Sequence, residues 1–539
     1  MVSRQAFLLT FLGVGIALSQ FQIPDREIQY RPGDWVSFPV LRFASSLAMD
    51  PNMIYAATTG GISRYDYYRK EWNLPYTWSD GLDGSPAVAV AYDGDSGYLW
   101  CATEHGLNIR IPGAEQWRQT SYQDAGITPV SAIGMGRNHV WLKSGEAYYK
   151  TEHTGDHFER ATGVDSQNDA ALWHAGSGSL PQLFMSAGCL FDPTGTIMDS
   201  ELRRWNISTS LQDEFRNLWI GTRGMGIGWA DLNTLRLEML PYGLFQPDVQ
   251  AVVMDEDGLW VGGLHEPGSE GGITHWDIGR GEWSYYETGY STGLRSDQVT
   301  YIIPDTDCVW FATADGLVRY DKGTAGWGFW NAHQNLWSDE VLCLALGDGA
   351  LWIGTRYGVN RLRLPELNLE QMRDPRLNNR CVYGIETDGD WVWAGTDRGL
   401  FRYSRSDDEW IPVKGYTGML VQEVYAVSVW ENEAWFATDD GVEAYDKISD
   451  QWRGFSKNQY PTGGPFNVIV ADSDVVWIGT EGRGVLKYLK SENRWRTFTT
   501  GDGLLDDSVR DILIDGDYVW FGTAKGLTRF YWNSPYRRD

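Results

Sequence analysis

Leu351-Trp352-Ile353-Gly354-Thr355, followed after two further residues by Gly358-Val359, is the stretch of sequence that decides the fold. The same pattern of an aliphatic residue, Trp, an apolar residue, Gly or Ala, and Thr, with a Gly-aliphatic pair behind it, recurs along the chain. Neighbouring copies lie about 42 residues apart, a period typical of repeat folds. The aromatic anchors of twelve copies are Tyr55, Trp100, Trp141, Phe184, Trp219, Trp260, Trp310, Trp352, Trp393, Trp435, Trp477 and Trp520.

Each copy predicts four short strands, named A to D in chain order. In the last copy, strand A is Val509-Arg510-Asp511-Ile512-Leu513-Ile514, and Asp515-Gly516-Asp517 has the composition of a hairpin turn. Strand B carries the anchor, strand C follows the Gly-aliphatic pair, and in most copies strand D contains a second aromatic residue. Strand B is apolar on both faces, so both faces of its sheet must be covered. The pattern predicts an all-β fold, a β-propeller of about twelve four-stranded blades, with a solenoid of sheets as the alternative.

The two ends of the chain complement each other. The last copy ends after its strand C, near Tyr531. Before the first strand A, the chain contains Trp35-Val36-Ser37-Phe38, whose Trp-x-x-Phe spacing matches Trp495-Arg496-Thr497-Phe498 of a strand D. We therefore expect the N-terminal strand to complete the last blade, which leaves no open sheet edge there.

Twelve blades exceed the four to eight that are usual in one ring. We expect two six-bladed rings, one over residues 34–288, with residues 34–39 pairing with the last blade, and one over 289–531, followed by a tail at 532–539. A single large ring and an uneven split are the alternatives. The stretch from about Ser166 to Ser210 is the least regular, because only 14 residues separate Trp205 from Trp219.

The first residues predict export. Residues 1–19 combine Arg4, the apolar run Ala6–Leu18 and small residues before Gln20, as in a secretory signal peptide, with an uncleaved anchor as the alternative. No later segment contains 18 consecutive apolar residues, so we expect a periplasmic or secreted protein without stable membrane insertion. A net charge of −27 argues against nucleic acid as a partner. The five cysteines form no Cys-x-x-Cys pair.

Two stretches resemble the two-component regulator propeller repeat. They are Val-Trp-Ile-Gly-Thr-Glu-Gly-Arg-Gly-Val at 476–485 and Gly-Leu-Leu-Asp-Asp-Ser-Val-Arg-Asp-Ile-Leu at 503–513. The resemblance covers roughly residues 34–531 and implies an exported, sensor-type propeller. In sensor kinases such regions are implied to bind glycan fragments. This chain shows no transmembrane helix or kinase region after the blades, and the family supplies no catalytic residue to carry over.

The B–C and D–A connections of a propeller share one face, which usually carries the ligand. One B–C loop, Leu264–Glu270, is longer than its counterparts, and long loops often carry function. Arginine on such loops suits forked hydrogen bonding, and Tyr357, Trp337 and Trp78 offer stacking surfaces. The alternative is that the charged residues are solvated and paired with neighbouring acids. The predicted ligand-binding residues are His105, Arg223, His265, Glu266, Arg356, Tyr357, Arg398, Arg483 and Lys525.

The repeats account for nearly the whole mature chain, leaving no room for a further catalytic module. We therefore predict a non-enzymatic protein without cofactor or metal, whose partner is a glycan or small ligand, or an envelope protein. His153 and His157 stand four residues apart, but no helix is expected there to present them to a metal. A polysaccharide hydrolase or lyase using two converging carboxylates, and an envelope or secretion scaffold, remain alternatives.

Overall fold

The first strand of the chain pairs with the last. In the computed structural model, which describes residues 30–537 except 115, 165–168, 174–179, 186–188, 200–201, 267–269, 416–421, 440, 457–459 and 461–463, β1 (Trp35–Phe38) runs antiparallel to β48 (Gly526–Tyr531). Trp35 lies opposite Phe530, and their rings stack with centroids 3.9 Å apart. The predicted completion of the last sheet by the N-terminal strand is therefore confirmed.

The next part of the chain, residues 44–240, begins with three regular sheets. The sheets β2–β5, β6–β9 and β10–β13 each run antiparallel in chain order, and β14 adds to the free edge of β10. One short helix, α1 (Tyr122–Ala125), and one 3₁₀ turn (Trp78–Asp80) lie between strands. The strands are β2 Ala44–Met49, β3 Met53–Thr58, β4 Gly61–Asp66, β5 Glu71–Tyr76, β6 Ala87–Asp93, β7 Tyr98–Thr103, β8 Gly106–Arg110, β9 Arg118–Ser121, β10 Ala132–Met135, β11 Val140–Ser144, β12 Ala147–Thr151, β13 Phe158–Ala161, β14 Leu172–Trp173, β15 Phe184–Met185, β16 Leu190–Asp192, β17 Thr196–Met198, β18 Arg204–Gln212, β19 Asn217–Thr222, β20 Ile227–Asp231 and β21 Arg236–Leu240.

The irregular stretch forms one merged sheet instead of two. The nine-residue β18 pairs with β17 through its first residues and with β19 through the rest, because the short spacing between Trp205 and Trp219 leaves no room for a separate strand. The prediction that Phe184 anchors a blade is wrong. Phe184 is 62% exposed, and its strand β15 pairs parallel with β21. The described residues consequently contain eleven sheets, where twelve blades were expected.

The remaining sheets are regular and four-stranded. They are β22–β25, β26–β29, β30–β33, β34–β37, β38–β41, β42–β45, and β46–β48 with β1; a 3₁₀ turn covers Ala332–Gln334. The strands are β22 Ala251–Met254, β23 Leu259–Gly262, β24 Ile273–Asp277, β25 Glu282–Tyr286, β26 Val299–Pro304, β27 Cys308–Thr313, β28 Gly316–Asp321, β29 Gly326–Trp330, β30 Val341–Gly347, β31 Ala350–Thr355, β32 Gly358–Arg363, β33 Asn368–Met372, β34 Val382–Asp388, β35 Trp391–Thr396, β36 Gly399–Ser404, β37 Glu409–Val413, β38 Val424–Trp430, β39 Glu433–Thr438, β40 Gly441–Asp446, β41 Gln451–Ser456, β42 Phe466–Ala471, β43 Val475–Thr480, β44 Val485–Leu489, β45 Arg494–Phe498, β46 Val509–Asp515 and β47 Tyr518–Thr523.

The first strands of these seven sheets contact one another in a closed series. Each of β22, β26, β30, β34, β38, β42 and β46 contacts the next, and β46 contacts β22. A second series, β18–β2–β6–β10, runs through the earlier sheets. In this series β22, which precedes the expected boundary between residues 288 and 289, contacts both β46 and β26. The division into two six-bladed rings stays a prediction.

The repeated residues have distinct structural roles. Trp393 of strand β35 is 1% exposed, and its indole N–H donates to Asp388 at the end of the preceding strand (3.1 Å). A Cβ on Gly395 would lie 2.7 Å from the carbonyl oxygen of Val424 in the next sheet, so only glycine permits this approach. The Thr396 hydroxyl donates to the carbonyl of Gly399 (2.8 Å) and closes the B–C turn. The expected core of tryptophans between sheets is therefore confirmed for the regular copies.

Candidate functional site

Strand A of most sheets begins with a β-bulge at its second residue, at the end that carries the B–C and D–A loops. At several bulges a small polar side chain bonds to the neighbouring strand A. The Thr300 hydroxyl donates to the carbonyl of Val341 (2.7 Å), and the Asn467 amide donates to the carbonyl of Val509 (3.1 Å). These bonds join the neighbouring first strands at this end of the sheets.

Three consecutive sheets of the closed series carry large side chains at this bulge position. The bulge residues of β30, β34 and β38 are Leu342, Tyr383 and Tyr425. Tyr383 and Tyr425 are half-buried, and their ring centroids lie 5.5 Å apart at 44°. A pair of aromatic rings therefore lies at the position that Thr300 and Asn467 occupy in their own sheets.

Hydrogen-bond acceptors surround these two rings. The Tyr425 hydroxyl donates to Glu423 Oε2 (2.5 Å). Burial, the neighbouring Cys381 thiol and the Glu423 carboxylate raise the pKa of Tyr383 to about 12. The backbone N–H of Asp397 donates to the carbonyl of Cys381 (3.0 Å). Asp397 Oδ1 is buried and has no hydrogen-bond partner among the residues that the structure describes.

Cations and a further aromatic ring flank the pair on the B–C loops. Arg356 Nη1 bonds to Glu340 Oε1 (3.1 Å), and Tyr357 is 48% exposed. Arg398 is exposed beside Asp397, and its backbone N–H donates to Thr396 Oγ1 (3.2 Å). We name this set of residues the tyrosine site. It comprises Glu340, Leu342, Arg356, Tyr357, Tyr383, Asp397, Arg398, Glu423 and Tyr425.

The other predicted residues lie elsewhere on the loops. Lys525 bonds to Asp506 (3.1 Å), and Arg483 is exposed on the turn between β43 and β44. In the long B–C loop, His265 Nε2 lies 3.3 Å from Asp297 Oδ1, and Glu266 is exposed. His105 and Arg223 lie on loops of the sheets of residues 44–240. His105 Nε2 is 3.5 Å from Glu104 Oε1, and the backbone of Arg223 forms an isolated antiparallel β-bridge with Phe43. The sequence thus pointed to the tyrosine site through Arg356, Tyr357 and Arg398 only.

Trp78 and Trp337, which the sequence suggested as stacking surfaces for a ligand, contact other parts of the protein. Trp78 is 47% exposed, and its indole N–H donates to the carbonyl of Thr500 (3.2 Å), which links the first complete sheet to the loop before β46. Trp337 lies against Gly358, where a Cβ would approach its ring to 3.2 Å. Both rings therefore contribute to contacts within the protein.

Sequence reasoning missed Tyr383 and Tyr425. A usable signal exists in the repeat itself, because a tyrosine follows the first valine of strand A in two consecutive copies, Val382-Tyr383 and Val424-Tyr425. This signal can be interpreted only if the bulge is known. A β-bulge turns toward the loop end a side chain that regular alternation would place between sheets.

Within the described part of the chain, no group of three or more His, Cys, Asp or Glu residues is placed to hold a metal ion. His153 Nδ1 lies 2.8 Å from Asp93 Oδ2, and His157 is exposed. All five cysteines are free thiols, three of them buried.

No helix among the described residues combines the length and apolar character needed to cross a membrane. The predicted signal peptide, residues 1–19, lies outside the described residues.

No protein-family model and no curated protein matches the chain. Among solved structures, it is similar to an extracellular domain assigned to a hybrid two-component system of B. thetaiotaomicron, with 15% identity, a TM-score of 0.47, and coverage of 92% of this chain and 70% of that one. A second such domain from the same organism is 18% identical with a TM-score of 0.44, and the match covers 89% of this chain and 66% of that one. PorZ, a surface component of the type-IX secretion system of Porphyromonas gingivalis, is 15% identical with a TM-score of 0.47, and the match covers 91% of this chain and 74% of that one.

Proposed function

We propose that the chain is an exported β-propeller protein with an uneven split, in which seven sheets, β22–β48 with β1, close one ring and residues 44–240 form a smaller body. The closed series of contacts between first strands supports this division. The cross-sheet bond from the Val252 N–H to Asp511 Oδ2 (2.7 Å) supports the closure between the first and last of the seven sheets. The tyrosine site then lies at the mouth of the ring.

The function that the tyrosine site supports best is binding of a hydroxyl-rich ligand, a glycan, without catalysis. The observation that carries this proposal is the half-buried Tyr383–Tyr425 pair, with the exposed Arg398 on a neighbouring B–C loop. Aromatic rings offer an apolar face to a sugar ring. The exposed guanidinium of Arg398 supplies forked donors to the same ligand.

Two nearby carboxylates hold other side chains of the tyrosine site in place. Glu423 accepts from Tyr425, and Glu340 pairs with Arg356. These bonds fix the orientation of one tyrosine hydroxyl and one guanidinium. A preformed arrangement of this kind reduces the entropy that a ligand must lose to bind. The site thus has the character of a recognition surface, as a sensor-like binding protein requires.

The test is a binding screen of the mature chain against a glycan array, followed by calorimetry with the best oligosaccharide. We expect Tyr383→Ala and Tyr425→Ala each to weaken binding at least tenfold, because each removes an aromatic face. Tyr68→Ala is the matched control, since Tyr68 is an exposed tyrosine (63%) in the turn between β4 and β5. Unchanged affinity in both site variants would overturn the proposal, as would the absence of any glycan that binds.

A further inference from the structure

A concave surface elsewhere in the protein is lined by residues that are not part of the tyrosine site. It is a groove of about 630 Å³ between the sheets β38–β41 and β42–β45. This volume is within the range of ligand sites, about 300 to 1,000 Å³. We name it the outer groove, and its lining residues are Trp452, Arg453, Gly454, Phe455, Tyr488, Lys490, Asn493 and Trp495.

Gly454 provides room for the groove. It lies two residues beyond the pair formed by Trp452 with Tyr445, opposite Glu443. The corresponding positions of the adjacent sheets hold Pro412, opposite Phe401, and Thr497, opposite Leu486. The lack of a side chain at this one place leaves the groove open along strand β41.

The polar side chains of the groove offer donors. Arg453 Nη2 and Lys490 Nζ both bond to Glu433, at 2.8 and 2.7 Å, so these three groups carry a net charge of +1. Asn493 Oδ1 accepts from the Tyr488 hydroxyl (2.8 Å), which leaves its Nδ2 as a donor. A sugar needs acceptors as well as donors, whereas a carboxylate needs donors only. The groove therefore suits an acid, although the chain as a whole has a charge of −27.

The groove runs beside a sheet edge. β41 is the outermost strand of its sheet and is paired with β40 on one side. Such an edge presents backbone N–H and C=O groups to an added strand, and main-chain hydrogen bonds then supply affinity while side-chain pockets supply specificity. Phe455 and Trp495, with ring centroids 5.5 Å apart at 78°, form the apolar part of this surface.

We infer that the outer groove binds an extended acidic peptide segment of a partner protein, which adds to the edge of β41 with its carboxylates against Arg453, Lys490 and Asn493. This interaction is independent of the ligand of the tyrosine site. It combines charge complementarity, apolar contact with aromatic rings and strand addition.

The experiment uses the mature chain and a fluorescein-labelled heptapeptide, Glu-Val-Glu-Phe-Glu-Val-Glu, blocked at both ends, with its Lys-for-Glu counterpart. Fluorescence anisotropy at low salt should show binding of the acidic peptide, and at least tenfold weaker binding of the basic one. Gly454→Thr places in the groove the residue that the next sheet has at this position, and Arg453→Gln removes a donor. Each should weaken binding at least tenfold, whereas Arg494→Gln is the matched control, because Arg494 is exposed and pairs with Glu492 outside the groove.

Hydrogen exchange tests the mode of binding. Bound peptide should slow amide exchange within residues 451–456 and leave exchange at the tyrosine site unchanged. Equal affinity for the two peptides, or full affinity in both groove variants of proven fold, would overturn the proposal. Binding of oligogalacturonate at the groove in place of the peptide would also overturn it and assign the groove to an acidic sugar.

Discussion

The carboxylate of Asp511 accepts a hydrogen bond from the backbone N–H of Val252 (2.7 Å), although the two residues are 259 positions apart. Asp511 belongs to the last strand A and Val252 to the first strand A of the closed series. The other carboxylate oxygen accepts from the Ile512 N–H (2.9 Å). This one side chain thus joins the two sheets between which the series closes.

The contact that Asp511 makes between the first and the last of the seven sheets should stabilise the fold less as pH rises. Burial raises the pKa of Asp511 to about 7, and this effect exceeds that of its two backbone hydrogen bonds, which lower it. The folded chain therefore holds a proton that the unfolded chain has lost above pH about 4. The contribution of this group to stability is greatest at low pH and is lost as pH rises from about 4 to about 7.

We therefore expect the Tm of Asp511→Asn, which cannot ionise, to shift upward relative to that of the wild type between pH 5.5 and pH 8. The amide nitrogen cannot accept one of the two backbone hydrogen bonds, and this loss is the same at both pH values. Thermal unfolding across this range measures the difference. Asp95→Asn, in an exposed turn, is the control. A Tm difference that is constant with pH would show that ionisation of Asp511 is not coupled to folding.

The two ends of the described chain are joined by a buried ion pair. The Arg537 guanidinium contacts the Asp34 carboxylate, and the two side chains are 5% and 8% exposed. Arg537→Ala should reduce the free energy of unfolding by about 3 to 5 kcal/mol, because it leaves the Asp34 charge buried without this cation. Urea denaturation measures the change, and Arg494→Ala removes an exposed arginine as a comparison. Equal stability of the two variants would exclude a role for the pair in fastening the last sheet.

Substitution of an anchor residue should reduce stability far more than substitution of a loop residue. Trp393→Ala should cost about 3 to 5 kcal/mol of stability by leaving a cavity between sheets. Arg398→Ala, at the exposed turn five residues later, should leave the free energy of unfolding nearly unchanged. Denaturant titration of both variants is the measurement. A larger loss of stability in Arg398→Ala than in Trp393→Ala would show that Trp393 is not part of the core.

The glycine of the repeat should be irreplaceable at the contact between sheets. Gly395→Ala places a methyl group 2.7 Å from the Val424 carbonyl oxygen and should cost about 1 to 3 kcal/mol. Gly94→Ala is a matched control, because a Cβ there would have no heavy atom within 4 Å. Similar melting temperatures for the two variants would refute a steric role for Gly395.

The sequence predicted the parts of the fold that repeat. Strand order within each regular sheet and the buried tryptophans follow from the repeated pattern. The pairing of Trp35 with the last sheet follows from a comparison of the two ends of the chain. Phe184 was misjudged because spacing alone placed it, while Ser186 and Ala187 stand where the pattern has Gly or Ala and then Thr. The grouping of sheets was not predictable, because a constant period is the same for rings of any size. Tyr383 and Tyr425 were missed because a bulge decides their direction.

The route by which the chain enters and leaves the smaller body has a further consequence. A Cβ on Gly243 would lie 3.4 Å from the Pro39 carbonyl oxygen, so the chain departs after β1 and returns before β22 at nearly the same point. In the division proposed above, the residues between these points form an insertion into the ring of seven sheets. Excising them would need only a short join between the two ends, but it would expose Tyr242, whose ring stacks on Trp72 of the insertion with centroids 4.2 Å apart.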